Sequence, residues 1–360
     1  MKILCIIDYL GAGGAQRQIV GLATFLMEKG YDVVVAFYHQ NSFFLDELQN
    51  RGVPYVYLEK AENKYTRVFH IAKFIRGIMP DVVISYLETP SICCSIARVF
   101  NRRFRLIVSE RNTTQQTGLN ELIRFNLYRW ANCVVPNAYS QENYIRQSFP
   151  FLSKKVVTIP NFVDLDLFVP PVSRERHAVP EVMIAASIWP SKNTLGFIDA
   201  VSMLMAKGYK FHISWYGLNE KNKDYCNQCQ EKIDRLGVGE CLELKEKTTT
   251  IKECYQSADY FCLPSFYEGT PNVICEAMAC GLPIACSNVC DNGRYVLEGV
   301  NGFLFNPQSI NSIVESLSRM LSVGDEEYSL FCSNSRKEAE ARLSADTFIE
   351  NYLKLINTPS

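Results

Sequence analysis

Short continuous apolar runs alternate with stretches of helical spacing along almost the whole chain. The first, "KILCIID" from Lys2, is apolar without polar alternation, the pattern of a strand covered on both faces. "QRQIVGLATFLMEKG" then places its apolar residues at helical spacing and closes on Gly30. "DVVVAFY", "VPYVYL", "DVVISYL", "RLIVSE" and "CVVPNA" predict further strands, separated by helical stretches such as "TRVFHIAKFIRGIM". That alternation predicts a parallel sheet with helices on its faces. Residues 169–181, "VPPVSRERHAVPE", carry three prolines and mixed charge with no period, so they read as a linker. The pattern then restarts. "VMIAASI", "KFHISWYG", "CLELKE", "YFCLPS" and "LPIACS" predict strands, and "NTLGFIDAVSMLMAKG" and "YCNQCQEKIDRLG" predict helices. The final "TFIENYLKLIN" is an amphipathic helix beyond the second sheet. The chain is therefore expected to be α/β, with two doubly wound domains at 1–168 and 181–342 facing a cleft where strand carboxyl ends bind ligands.

Composition agrees with two soluble domains. The 360 residues exceed one ordinary core, and 48% hydrophobic with 21% charged residues is the balance of a globular protein. No apolar run reaches the roughly 20 residues that span a bilayer. The N-terminal run is too short for a signal peptide, which places the protein in the cytoplasm. Fourteen cysteines are present, and Cys5, Cys262, Cys275, Cys280 and Cys286 fall in apolar runs, so reduced thiols are expected rather than disulfides. Cys226 and Cys229 have zinc-like spacing but lack a second matching pair, and no metal is expected there.

Charge is unevenly spread. The net charge is −1, yet residues 1–168 carry five more Lys and Arg than Asp and Glu, and the remainder carries six more acidic residues than basic. Between Lys64 and Arg129 stand eleven Lys and Arg against four Asp and Glu. "ARVFNRRFR" and "LIRFNLYRWAN" interleave these cations with Phe100, Phe104, Phe125, Tyr128 and Trp130. Such a pattern suits an anionic membrane surface, or else a packed core with a solvated basic face. The acidic second half argues against nucleic acid.

Two stretches carry candidate chemistry. "DYLGAGGAQRQ" follows the first strand but fails as a dinucleotide fingerprint, because Gln16 replaces the third glycine and no acidic residue ends the second strand. Gly11, Gly13 and Gly14 either bring a ligand close to backbone NH groups or simply make a tight turn. "SFYEGTPNVICEAMACGLPI" is richer. Thr270 suits an N-cap and Pro271 a first helical position, which puts Glu268 in the loop before a helix and Glu276 about one and a half turns inside it. The NH groups of Gly269, Thr270 and Asn272 would then leave the positive end of that helix, where a diphosphate is favoured. Glu276 either faces solvent or faces a ligand rich in hydroxyl groups.

Here the chain resembles the family-four glycosyltransferases. The resemblance rests on the Glu-x7-Glu pair within Pro-Ser-x-x-Glu-Gly-x-Pro-Asn and Glu-Ala-Met-Ala-x-Gly-x-Pro. "GAGGAQRQ", "VVPNAYSQE", "TIPNFVDLDLF" and "VLEGVNGFLFNP" extend it over nearly the whole chain. It implies a retaining, metal-independent transferase with two Rossmann-like domains, the GT-B fold. The C-terminal helix at about 343–360 is expected to pack back on the N-terminal domain.

Carried over residue by residue, the resemblance makes Glu268 and Lys192 catalytic: the carboxylate contacts the transferred sugar and the lysine offsets leaving-group charge. Glu276 would hold the ribose, with Gly269, Thr270, Pro271, Asn272, Gly13 and Gly14 also donor-binding. The implied donor, the UDP form of a sugar nucleotide, is a substrate, and no cofactor is implied. The acceptor would be a glycan or a polyprenol-linked sugar, bound by the first domain on the inner face of the plasma membrane. Two departures stand out. Ser187 occupies the place of the family's second phosphate cation, leaving Arg17 or Arg111 as substitutes. "SERN" replaces a histidine-bearing stretch, so Glu110 becomes a catalytic candidate, or a salt-bridged carboxylate, and Arg111 an acceptor-binding one. An epimerase or phosphorylase on the same fold fits the signature poorly. A catalytically inactive sugar-nucleotide-binding or scaffolding subunit is the alternative.

Overall fold

The computed structural model describes residues 1–40, 43–111, 117–218 and 222–358. Asn112 of the "SERN" stretch lies outside them. The chain forms two compact units, one of residues 1–162 and 345–360 and the other of residues 163–344.

The first unit holds strands β1 (Lys2–Ile6), β2 (Asp32–Phe37), β3 (Tyr55–Tyr57), β4 (Val82–Tyr86), β5 (Arg105–Glu110) and β6 (Cys133–Pro136), in the order β3-β2-β1-β4-β5-β6. All five pairings are parallel. Both faces of the sheet are buried, as its unbroken apolar strands require. One face is completed by the helix Ala345–Asn357, whose Phe348, Ile349, Tyr352 and Ile356 enter the core. The C-terminal helix thus returns to the first unit.

The second unit repeats the design with β7 (Glu181–Ala185), β8 (His212–Leu218), β9 (Leu242–Glu246), β10 (Tyr260–Leu263), β11 (Ile284–Ser287) and β12 (Gly302–Phe305). Its order, β12-β11-β10-β7-β8-β9, is the same doubly wound topology. Strand order reverses between β1 and β4 in one sheet and between β7 and β10 in the other. β12 was not among the expected strands. The first domain ends earlier than the expected 168: Val163 and Phe168 are buried in the core of the second unit. The supposed linker at 169–181 belongs to that unit too, where Arg174 donates to the carbonyls of Ala258 and Cys280.

All fourteen cysteines are free. Burial pushes the thiols of Cys5 and Cys280 up to about 12, so they behave as small apolar side chains rather than nucleophiles.

Candidate active site

The two strands flanking the switch point of the second sheet each deliver one candidate residue. β7 leads into a turn at Pro190–Lys192, and β10 leads into the loop that carries Glu268. The loops are tied together by the Phe266 NH, which donates to the Ser191 carbonyl at 2.9 Å. Lys192 Nζ donates to Glu268 Oε1 at 2.5 Å, with both side chains largely shielded. Two residues 76 positions apart are thereby brought into one ion pair.

The Lys192 turn is held rigidly. Asn193 takes a left-handed conformation with φ 57° and ψ 33°, and its buried amide donates to the Pro307 carbonyl at 2.8 Å. Gly217 lets β8 approach the loop after β7, since a Cβ there would lie 1.8 Å from the Ala186 carbonyl oxygen. Trp215 Nε1 donates to that same oxygen at 2.8 Å. Ser187 lies within this closely packed segment.

Glu276 is only 8% exposed and accepts a hydrogen bond from the Tyr255 hydroxyl at 3.1 Å. The solvent-facing reading is therefore excluded. Its helix is Asn272–Ala279, so Glu276 is the fifth residue, and the start differs from expectation. Pro271 is not the first helical residue but the flanking one, with φ −79° and ψ 84°, and Thr270 is not the cap. Those angles make an inverse γ-turn, in which the Asn272 NH donates back to the Thr270 carbonyl at 3.0 Å. The Asn272 NH is thus turned inward and is not offered to a ligand. No local pattern points to Tyr255, which lies 21 residues away on another helix.

The candidates of the first unit behave differently. Gly13 flanks and Gly14 opens the helix Gly14–Glu28, in the loop after β1. Gly13 is extended rather than left-handed, and the buried Gln16 amide occupies the place a Gly13 side chain would take. Glu110, at the carboxyl end of β5, is 2% exposed and lies 3.6 Å from Arg124, while the Tyr128 hydroxyl donates to it at 3.4 Å. Arg124 also pairs with Glu88. Two buried opposite charges with a supporting hydroxyl are the arrangement that makes interior ions tolerable.

Arg111 is likewise engaged inside its unit. It donates to Asn161 Oδ1 at 2.5 Å and to the hydroxyls of Tyr86 and Tyr352 at 2.7 and 2.9 Å. Those bonds fasten the C-terminal helix to β4 and β5.

Of the supposed interfacial aromatics, Phe104, Phe125 and Tyr128 are core residues, because each faces the helix–sheet interior. Phe100 and Trp130 are exposed. An Asp-x-Asp stretch, Asp164-Leu165-Asp166, is spent on a turn: Asp164 Oδ1 accepts from the NH groups of Asp166 and Leu167 at 3.1 and 2.9 Å. Among the described residues no cluster of three or more His, Cys, Asp or Glu is placed to hold a metal. No described helix is long and apolar enough to cross a membrane.

The chain is similar to known proteins over nearly its whole length. Residues 12–167 match the model of Glycosyltransferase Family 4, and residues 179–323 match that of Glycosyl transferases group 1. A Campylobacter jejuni GalNAc-alpha-(1->4)-GalNAc-alpha-(1->3)-diNAcBac-PP-undecaprenol alpha-1,4-N-acetyl-D-galactosaminyltransferase is 24% identical, over 99% of this chain and 98% of its own. Among solved structures, a glycosyltransferase from Rickettsia africae superposes with a TM-score of 0.88 at 16% identity, covering 100% of this chain and 99% of its own. The Anabaena HepE protein, solved with UDP and glucose, superposes with a TM-score of 0.84 at 18% identity, each chain covered in full.

Proposed function

Because the chain belongs to glycosyltransferase family 4, with a group 1 C-terminal half, we propose that it moves a sugar from a UDP-sugar onto a polyprenol-linked glycan. The product would enter cell-surface polysaccharide synthesis, as the undecaprenol-linked substrate of the Campylobacter relative suggests. Transfer would proceed with retention of anomeric configuration and without a metal ion.

The Lys192–Glu268 ion pair at the switch point carries this reading. Without donor, each group neutralises the other. An arriving diphosphate offers Lys192 a stronger anionic partner, and the lysine then stabilises charge that builds on the leaving group. Glu268, released from the lysine, is free to accept bonds from the transferred sugar. Glu276, oriented by Tyr255, would take the ribose hydroxyls. Leaving-group departure and acceptor attack would use the same face of the sugar. Lys192 supplies a single point charge, so the neighbouring NH groups of Gly269 and Thr270 share the phosphate load in place of the cation missing at Ser187.

UDP release from a panel of UDP-sugars, with and without an undecaprenyl diphosphate-linked acceptor and in the presence of EDTA, tests this reading. Release from one donor, increased by acceptor and insensitive to EDTA, is expected. Donor binding without release would favour the inactive scaffolding subunit, and restoration by manganese after chelation would remove the metal-free mechanism.

The first unit would also rest on the inner face of the cytoplasmic membrane as a peripheral protein. The helix Leu119–Tyr128 turns Leu119, Leu122 and Ile123 outward, the first of them 73% exposed. Phe100 is 79% exposed, Arg102 stacks on Trp130, and Arg129 stacks on Phe151. Outward apolar residues at i, i+3 and i+4 beside arginines suit an anionic lipid surface.

A further inference from the structure

β11 and β12 end side by side, with Ser287 opposite Phe305. The loops that leave them enclose a cavity of about 390 Å³ within the second unit. That volume lies in the range of small-molecule sites, about 300–1,000 Å³. Phe266 forms one wall, Leu304 lies among the apolar lining, and Asn288, Asn306, Gln308 and Ser312 supply polar groups. No lining residue has an ionisable side chain. From this chemistry we infer that the pocket binds a neutral saccharide unit of a glycan, apart from the nucleotide donor.

The absence of charge in the lining decides the ligand class. A phosphate or nucleotide site needs cations or a cluster of free NH groups, whereas a sugar needs amides and hydroxyls that both donate and accept. Phe266, about 41% exposed, offers an apolar ring to the C–H face of a pyranose. The larger cavity beneath the 169–180 segment, about 760 Å³, is no rival. Its Arg174, Arg176 and Arg336 are spent on backbone carbonyls, so it is a clamp for that segment.

The polar lining is preorganised. The Asn288 NH donates to the Phe305 carbonyl at 2.7 Å, and the Asn306 NH donates to Ser312 Oγ at 3.0 Å. Asn306 Oδ1 accepts from the Gln308 NH at 3.0 Å, which leaves the Gln308 side chain exposed on a fixed backbone. Phe266 is held by its NH bond to Ser191 and stands two residues before Glu268. A saccharide in this pocket would therefore belong to the glycan being extended, and the inference goes beyond the transfer step itself.

Saturation-transfer NMR on the full chain tests it, with N-acetylglucosamine, N-acetylgalactosamine, glucose and galactose as probes. At least one should show contacts that persist under saturating UDP. Phe266→Ala and Gln308→Ala should each weaken them about fivefold or more, the loss of one ring contact or one hydrogen bond. Gln308 is exposed, so its truncation leaves the fold intact even where Phe266→Ala does not. No contact from any of the four, displacement by UDP, or contacts unchanged in Gln308→Ala would overturn the inference. UDP-sugar hydrolysis measured alongside separates the two readings, because its loss with intact saccharide contacts would count against the transfer reaction alone.

Discussion

Glu268 and Glu276 share a functional group but sit in different surroundings, which suit the two roles proposed for them. Glu268 faces the Lys192 ammonium, whereas Glu276 is buried under the Tyr255 hydroxyl. A carboxylate that meets the reacting sugar contributes mainly in the transition state, and one that holds ribose contributes equally before and during transfer. Glu268→Gln should therefore lower kcat about 100-fold with little change in donor KM. Glu276→Ala should raise donor KM about tenfold with kcat nearly unchanged. Steady-state kinetics on the same donor decides, and equal mild effects would remove the assignment. Glu110 makes the opposite case. Its removal leaves Arg124 with one buried partner fewer, so Glu110→Ala should cost about 3–5 kcal/mol of stability. Urea denaturation checks this, and a variant as stable as the parent but inactive would restore a catalytic role. The signature around Glu268 was legible in the sequence. The partners of Glu110 and Arg111 were not, because those contacts join positions 14 to 241 residues apart, which no local pattern encodes.

At the scale of elements, strands buried on both faces announce themselves as unbroken apolar runs, and β5 spans the very residues of "RLIVSE". β12 escaped because its four residues "GFLF" are short and follow directly on the turn at residues 299–301. The helix Asp325–Leu343 escaped because its apolar residues form no single stripe. The helix at Asn272 began later than expected because Pro271, with ψ 84°, turns the chain instead of starting the helix. Close backbone approach is equally invisible to periodicity. Gly217 shows its use: β8 meets the carbonyl of Ala186 where any side chain would collide. Gly217→Ala should displace the segment that leads to Lys192 and cost about 3 kcal/mol. UDP affinity should fall with it, since the Lys192–Glu268 geometry depends on that segment. Denaturation together with UDP titration checks both effects, and a variant unchanged in both would show that the contact relaxes freely.

For the molecule as a whole, the uneven charge along the chain acquires a surface once the core residues are removed from it. Arg111 and Arg124 point inward, Arg67 donates to the carbonyls of Ala61 and Glu62, and Arg105 donates to the Thr358 carbonyl. Arg102, Arg103 and Arg129 remain exposed, near the outward Phe100, Leu119, Leu122, Ile123 and Trp130 in the chain. The helices Glu88–Phe100 and Leu119–Tyr128 lie side by side, so this is one region of the first unit. Each basic residue near an anionic leaflet contributes about 1 kcal/mol, and the attraction decays over a Debye length of about 10 Å at 0.1 M salt. Reversing Arg102, Arg103 and Arg129 to Glu should therefore weaken binding by about 100-fold or more. Leu122→Ser with Ile123→Ser should weaken it too, and that loss should persist in salt because apolar insertion is not screened. Sedimentation with phosphatidylglycerol-rich liposomes at low and high salt reads both effects. Failure to sediment at low salt, or sedimentation indifferent to the three reversals, would mean that the acceptor is met without a lipid surface.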